Sequence, residues 1–395
     1  MFEPVSVEKC SSYEQLEINK AIDNAIDAIG GLGFVKEGMT IGIKANLVAA
    51  MNPDKAVTTH PALLKRLCER IVELGASVIV GDSPGGLFTP AFVKNVYKTC
   101  GLYELEEAFP GKVKLNTNLE IKDAEFPEAI SIKTFIYTAW LDDVDFIINF
   151  SKLKTHAMMG MSCAVKNMFG TIPGTTKPEY HMRFPEENAF ANLMVDLNEY
   201  FKPALYVVDA IDGMEGNGPT AGEKRHIGLV LASKNPYALD MVCADIIGLG
   251  INDVQTMKAA YERGLGPKSV DEVEVVGSAL LQDVKISDYK KATIHQSITF
   301  EGGSTFNAIK ASVVKFLFST KPLVKPSECI GCKKCYETCP AHAITMVTKK
   351  VKGKEALLPE IDRNKCIKCF CCQEFCPKGA MKVHENPIGK MINRK

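Results

Sequence analysis

The segment CIGCKKCYETCP at Cys329 and its near copy CIKCFCCQEFCP at Cys366 constrain this chain more than any other feature. Cys329, Cys332, Cys335 and Cys339 stand at C-x2-C-x2-C-x3-C ahead of Pro340, and Cys366, Cys369, Cys372 and Cys376 repeat that spacing ahead of Pro377. Two-residue gaps let a loop curl until three thiolates face one centre, while the fourth cysteine, beside proline, leaves the loop. Nine of the fourteen cysteines fall in the last 67 residues, and the others (Cys10, Cys68, Cys100, Cys163, Cys243) are scattered. This distribution fits a reducing compartment with one metal-binding region rather than a disulfide framework. Eight cysteines with paired Cys-Pro endings match no usual zinc pattern.

The doubled motif resembles that of bacterial two-cluster ferredoxins over essentially the whole of residues 321–395. The resemblance implies two [4Fe–4S] clusters, with the fourth cysteine of each motif crossing to the other cluster. Cys329, Cys332, Cys335 and Cys376 would then hold one, and Cys366, Cys369, Cys372 and Cys339 the second. Cys371 falls out of register and is expected as a packed or free thiol. The segment TMVTKKVKGKEALLPEID between the motifs reads as a long hairpin. One-electron transfer at low potential follows from the resemblance, but the destination of the electrons does not.

Some 320 residues precede this tail, and they must be explained separately. At 395 residues the chain has room for two or three domains. Its apolar share of 46% and charged share of 24% are ordinary for a soluble globular protein. No apolar run approaches the ~18–20 residues of a membrane span, and the start MFEPVSVEKC lacks a basic leader, so a cytoplasmic protein is expected. The formal charge is zero but uneven: residues 321–395 carry sixteen Lys and Arg against seven Asp and Glu, leaving the body with 31 against 40. The excess lysines either keep the tail soluble or dock it, on its own acidic body or on a protein electron donor or acceptor of ferredoxin or flavodoxin type. The basic, aromatic-interleaved face of a nucleic-acid binder is missing, so neither nucleic acid nor membrane is expected as a partner.

Helix and strand signals alternate through the body. LEINKAIDNAIDAIGGLG places Ile18, Ile22, Ile26 and Ile29 at helical spacing before a glycine cluster, with GGLG read as a cap. TTHPALLKRLCERIVELGA carries a threonine cap and Pro61 at the first helical position, then runs into the strand SVIVG. The alternation predicts an α/β body with a largely parallel sheet flanked by helices over residues 1–320. A small ferredoxin-like α+β domain over 321–395 follows it, with KPLVKPSE as linker.

Ligands of open α/β sheets lie beyond the carboxyl ends of strands, and three loops are candidates. The first is Gly81–Gly86, where Asp82, Ser83 and Gly85 could cradle an anion or simply make a tight turn. It is not a P-loop, since no Gly-Lys-Ser/Thr follows. The second begins after Phe150, where Lys152, Lys154 and His156 alternate and Lys166 and Asn167 follow, a seat for a carboxylate or phosphate. The third is DAIDGMEGNGP, in which Asp209, Asp212, Glu215 and Asn217 could hold a divalent cation or serve in acid–base chemistry. His181, in PEYHMRFP, could join either loop as proton donor or ligand.

Taken together, IKANLV, THP, GDSPGG, KLKTH, AVKNMFG, DGMEGNGP and YALD resemble the uncharacterised iron–sulfur-centre protein family, domain of unknown function 362, over roughly residues 35–315. The resemblance implies a cytoplasmic or anaerobe-type redox context and carries over no catalytic assignment. The leading expectation is an iron–sulfur oxidoreductase passing low-potential electrons from the tail to an anionic small molecule in the body. Lys152, Lys154, Lys166, Asn167, Asp82, Ser83 and Gly85 would bind it, with His156, His181 and Asp212 catalytic. No G-x-G-x-x-G fingerprint is present. One alternative is a non-catalytic electron-transfer or assembly subunit of a larger redox complex. Another is a non-redox enzyme with structural clusters.

Overall fold

A computed structural model describes residues 2–174, 176–292, 321–351, 353–367 and 369–384. The body's first strands are β1 (Val5–Lys9), β2 (Thr40–Lys44), β3 (Ser77–Gly81) and β4 (Val113–Leu115). A hairpin follows, β5 (Ile121–Glu125) and β6 (Thr134–Thr138), then β7 (Phe146–His156), β8 (Gly160–Ser162), β9 (Leu205–Glu215), β10 (Glu223–Ser233) and β11 (Val275–Val276). Nine of these strands form one sheet in the order β11-β1-β10-β9-β7-β2-β3-β4, with β8 on the end of β7. Pairing is parallel from β4 through β3, β2 and β7 to β9, and antiparallel where β10 meets β9 and β1. The body is thus α/β with a mostly parallel central sheet.

Helices cover both faces of this sheet, and the strand sequences show it. Successive side chains of a strand point to opposite faces. On β9 Val207 joins the cluster under helices Gln15–Asp27 and Pro61–Glu73, while Val208 joins the cluster under helix Pro236–Ile246. Val230 and Leu231 on β10 divide the same way. Strands buried on both faces read as continuous apolar runs, as VDFIINF does. Ile18, Ile22, Ile26 and Ile29 are all buried, as their spacing predicts. The Pro61 helix differs in its cap: His60 Nδ1, not a threonine, accepts the Ala62 N–H at 3.3 Å. Thr59 is occupied elsewhere, accepting from the Asn46 N–H at 3.0 Å and donating to Phe150 O at 2.9 Å.

The tail pairs β12 (Lys321–Val324) with β15 (Met381–His384), and β13 (Ile344–Val351) with β14 (Lys354–Ile361) as the expected hairpin. KPLV is therefore a strand and not a linker; a two-stranded ribbon is all edge, where Pro322 costs no interior ladder bond. The division placed between residues 320 and 321 adjoins residues 293–320, which lie outside the described residues.

Candidate functional site

The tail's cysteines gather in two sets. Cys329, Cys332, Cys335 and Cys376 line one cavity, and Cys339, Cys366, Cys369 and Cys372 line another. The fourth cysteine of each motif does cross to the other set. Each set is spread around its cavity; no three His, Cys, Asp or Glu side chains among the described residues gather on a single-ion site. The crossing cysteines are matched: Cys339 Sγ accepts the Ala343 N–H at 3.3 Å and Cys376 Sγ the Ala380 N–H at 3.2 Å. Four thiols around each of two similar, otherwise largely apolar cavities, with backbone donors on sulfur, fit a pair of [4Fe–4S] clusters. Cys371 lies outside both cavity walls and is fully buried.

In the body, the second and third candidate loops prove to be strand in part, as far as His156 and Glu215, while Lys166 and Asn167 lie on the short helix Ala164–Asn167. β7 continues past Phe150 to His156 because β9 pairs with it as far as Lys154 and the short β8 from Lys154 onward. Its lysines therefore sit inside the sheet. Lys152 and Lys154 are two apart and should share a face, but the pairing with β9 shifts register between them. Lys152 Nζ pairs with Asp209 at 2.8 Å and donates to Tyr13 Oη at 2.9 Å, all within a buried knot on which His60 stacks at 3.8 Å from Tyr13. Lys154 Nζ turns instead to Asn46 Oδ1 at 2.6 Å and Val57 O at 2.7 Å.

The acidic segment is likewise held in β9 and its pairing with β10. Asp212 bonds Lys224 at 3.0 Å and His226 at 2.9 Å, and Glu215 lies 3.4 Å from Lys290. Burial raises the Asp212 pKa, yet the bonds from His226 and Lys224 outweigh it and leave the carboxyl below its ordinary range. Asp209, Asp212 and Glu215 are each taken by a different cation. They form no cation site, and Asp212 stands away from the cavity described next.

That cavity lies where tail meets body. Asn46, Asp82, Gly85, Lys166, Asn167, Phe169, Gly170, Lys177 and Pro219 line it from the body, and Glu374 and Phe375 from the tail. The tail is seated by Gln373 Nε2, which donates to Asn217 O at 2.7 Å, and by Thr220 Oγ1, which donates to Glu374 O at 3.0 Å.

Buried charge dominates the cavity's walls. Lys44 forms a fully buried pair with Asp82 at 2.7 Å, and Asp82 also accepts the N–H groups of Leu47 and Ser83. The path is tight: a Cβ on Gly170 would fall 2.2 Å from Asp82 Oδ1. Lys177 Nζ donates to Ser83 O, and Ser83 Oγ accepts the Gly174 N–H at 2.7 Å. Asn167 Oδ1 accepts from Asn46 at 2.8 Å and its amide donates to Asn149 Oδ1 at 2.7 Å. Lys166 is different. It is 8% exposed and its ammonium makes no hydrogen bond or ion pair among the described residues, with the Phe169 ring 5.9 Å from Nζ.

Desolvation sets the protonation of this region. Burial, then the nearby Lys166 charge, brings the Lys154 ammonium down to about 7. Burial brings Lys177 down to about 8 against the pull of Asp82. It also drives His181 to about 4 and His156 well below its usual value. Both histidines are thus neutral near pH 7. His156 Nδ1 accepts the N–H groups of Met158 and Met159 at 3.1 Å, so its proton sits on Nε2, which is buried without a partner among the described residues. His181 stacks on Phe190 at 4.3 Å in the helix Lys177–Arg183.

The structure therefore brings Asp82, Ser83, Gly85, Lys154, His156, Lys166, Asn167 and His181 into one buried region and leaves Lys152 and Asp212 outside it. Sequence reasoning missed Lys44, Asn46, Lys177, Glu374 and Phe375. Lys44 had a signal, a lysine inside the apolar strand TIGIK, and so had Glu374, an acid inside a cysteine motif.

Comparison with known proteins matches two families along the chain. The family model described as Domain of unknown function (DUF362) matches residues 41–245, and that of a 4Fe-4S dicluster domain matches residues 328–380. The Thylakoid-associated protein sll1697 of Synechocystis sp. is 31% identical over 274 residues, which is 69% of this chain and 83% of that protein. The lactate racemase apoprotein from Thermoanaerobacterium thermosaccharolyticum superposes with a TM-score of 0.39 at 10% identity, over 62% of this chain and 57% of that one. Among the described residues no helix is long and apolar enough to cross a membrane.

Proposed function

This chain belongs to the DUF362 family and ends in a 4Fe-4S dicluster domain, and on that premise we propose that it is an iron–sulfur oxidoreductase acting on a small anionic molecule. One observation carries the reading. The cavity lined by Lys166, Lys177 and Asn167 is closed by Glu374 and Phe375, which lie between the cluster cysteines Cys372 and Cys376. The two clusters, held by Cys329, Cys332, Cys335 and Cys376 and by Cys366, Cys369, Cys372 and Cys339, would supply electrons one at a time at low potential.

The body's residues do the rest. Lys166, buried and with no ion-pair or hydrogen-bond partner for its ammonium among the described residues, attracts an oxyanion, and Asn167 and Lys177 border the same space. Lys177, near 8, is matched to release a proton at neutral pH, which suits a general acid. Neutral His156 and His181 serve as hydrogen-bonding groups behind it. Phe169 and Phe375 exclude water and strengthen every charge interaction inside. A protein of ferredoxin or flavodoxin type is the proposed redox partner, consistent with the tail's excess of lysine. A reducing, cytoplasmic setting belongs to the same reading, since all five body cysteines are buried and free.

The test is anaerobic. Protein reduced with dithionite is followed by visible absorbance while pools of anionic metabolites are added. Catalytic reoxidation by one pool, lost in Lys166→Gln, supports the reading. Normal reduction with no pool able to reoxidise the protein overturns it in favour of an electron-transfer or assembly subunit.

A further inference from the structure

We infer that the ligand of the junction cavity carries two groups: an oxyanion, and beside it a hydroxyl or ammonium that donates to Glu374. This rests on the reading of the cavity as an anion site and goes further, to the substrate's chemical class. Lys166 lines the cavity from the body, 8% exposed, and its ammonium makes no hydrogen bond or ion pair among the described residues. Glu374 lines the same cavity from the tail, and its carboxylate also makes neither among them. The two do not satisfy each other, although each lies in the other's field. The cavity's other carboxylate, Asp82, is already taken by Lys44 at 2.7 Å.

An ammonium and a carboxylate that line one small cavity without meeting are each left short of a partner. A simple anion answers Lys166 and is repelled by Glu374. A simple cation has the opposite difficulty. A ligand bearing an oxyanion and an adjacent donor answers both. A half-buried, unpaired carboxylate at a site disfavours analogues lacking the donor, because on ligand binding it would lose water and gain nothing. Glu374 belongs to the tail, whose backbone is pinned by Thr220 and whose Gln373 side chain is pinned to Asn217, so the ligand would bridge the two domains.

The experiment is anaerobic calorimetry on the full, cluster-loaded chain with four probes: acetate, glycolate, glycine and methylammonium. Glycolate or glycine should bind at least about tenfold tighter than acetate, the worth of one charge-assisted hydrogen bond. Glu374→Gln should erase that preference without weakening acetate, and Lys166→Gln should remove binding of all three carboxylates. The better of glycine and glycolate tells whether Glu374 meets an ammonium or a hydroxyl. Equal affinity for acetate, glycine and glycolate in the wild type, as a bridging water would produce, overturns the inference and leaves the anion site standing. Absence of binding by every probe overturns both. Unchanged cluster absorbance and melting temperature certify each variant; if Glu374→Gln fails that check, Glu374→Asp, one methylene shorter, must still reduce the preference.

Discussion

Phe375 packs its ring against Gly85 so closely that a Cβ on Gly85 would lie 1.9 Å from Phe375 Cε1. A glycine in the loop after β3 is thereby the seat of the tail. The contact explains why the tail's Cys371–Glu374 helix comes to rest beside the lysines.

Gly85→Ala should therefore loosen the docking while leaving both domains folded. Overpacking of this kind costs about 1–3 kcal/mol. Hydrogen exchange should quicken in residues 371–376 and 217–220 with cluster absorbance unchanged. Wild-type protection in both segments would show that the seat lies elsewhere.

Asp209 and Asp212 should differ sharply. Asp209 and Lys152 are fully buried, so Asp209→Ala strands an ammonium and should cost about 3–5 kcal/mol in urea unfolding. Asp212 faces partners that are 49% and 57% exposed, so Asp212→Asn should stay within about 1 kcal/mol and leave anion binding intact. Lost binding in Asp212→Asn would return that residue to the site.

Lys154 should leave a mark on the pH dependence of stability. Its folded pKa is about 7, while an unfolded lysine holds its proton to ~10.4. Between those values the unfolded state binds more protons, so stability rises with pH across the window, and below about 7 the penalty is fully present. Lys154→Met should flatten this slope. Anion affinity runs the other way: acetate should weaken above about pH 8, where Lys177 loses its proton. Parallel urea midpoints for variant and wild type from pH 7 to 10 would refute the assignment.

The two adjacent cysteines should separate by iron content. Cys371→Ala removes a buried thiol outside both cavities and should keep about eight irons per chain. Cys372→Ala removes a cavity-lining thiol and should lower that figure towards half. Iron and labile-sulfide assays read both.

What the sequence by itself determined is whatever depends on near neighbours along the chain. The cysteine spacing dictates two thiol sets, and Ile18, Ile22 and Ile26 dictate one buried helix face. The apolar runs dictate strands covered on both sides, and hence the α/β class. Local spacing pointed to Lys154, Lys166 and Asn167 for the same reason, as cations and amides inside an apolar stretch. Tertiary structure alone decided the rest. Lys152 and Lys154 alternate identically in sequence, and only the register shift against β9 sends one into a structural knot with Asp209 and the other toward Asn46. Asp212 looked like a loop acid until β10 paired with its strand and supplied Lys224 and His226. Lys44 met Asp82 through the parallel pairing of β2 with β3, and Glu374 met the lysines through the docking of Phe375 on Gly85. Pairing register and domain docking are set by the sum of many distant contacts, and the residues that carry the charge do not encode them.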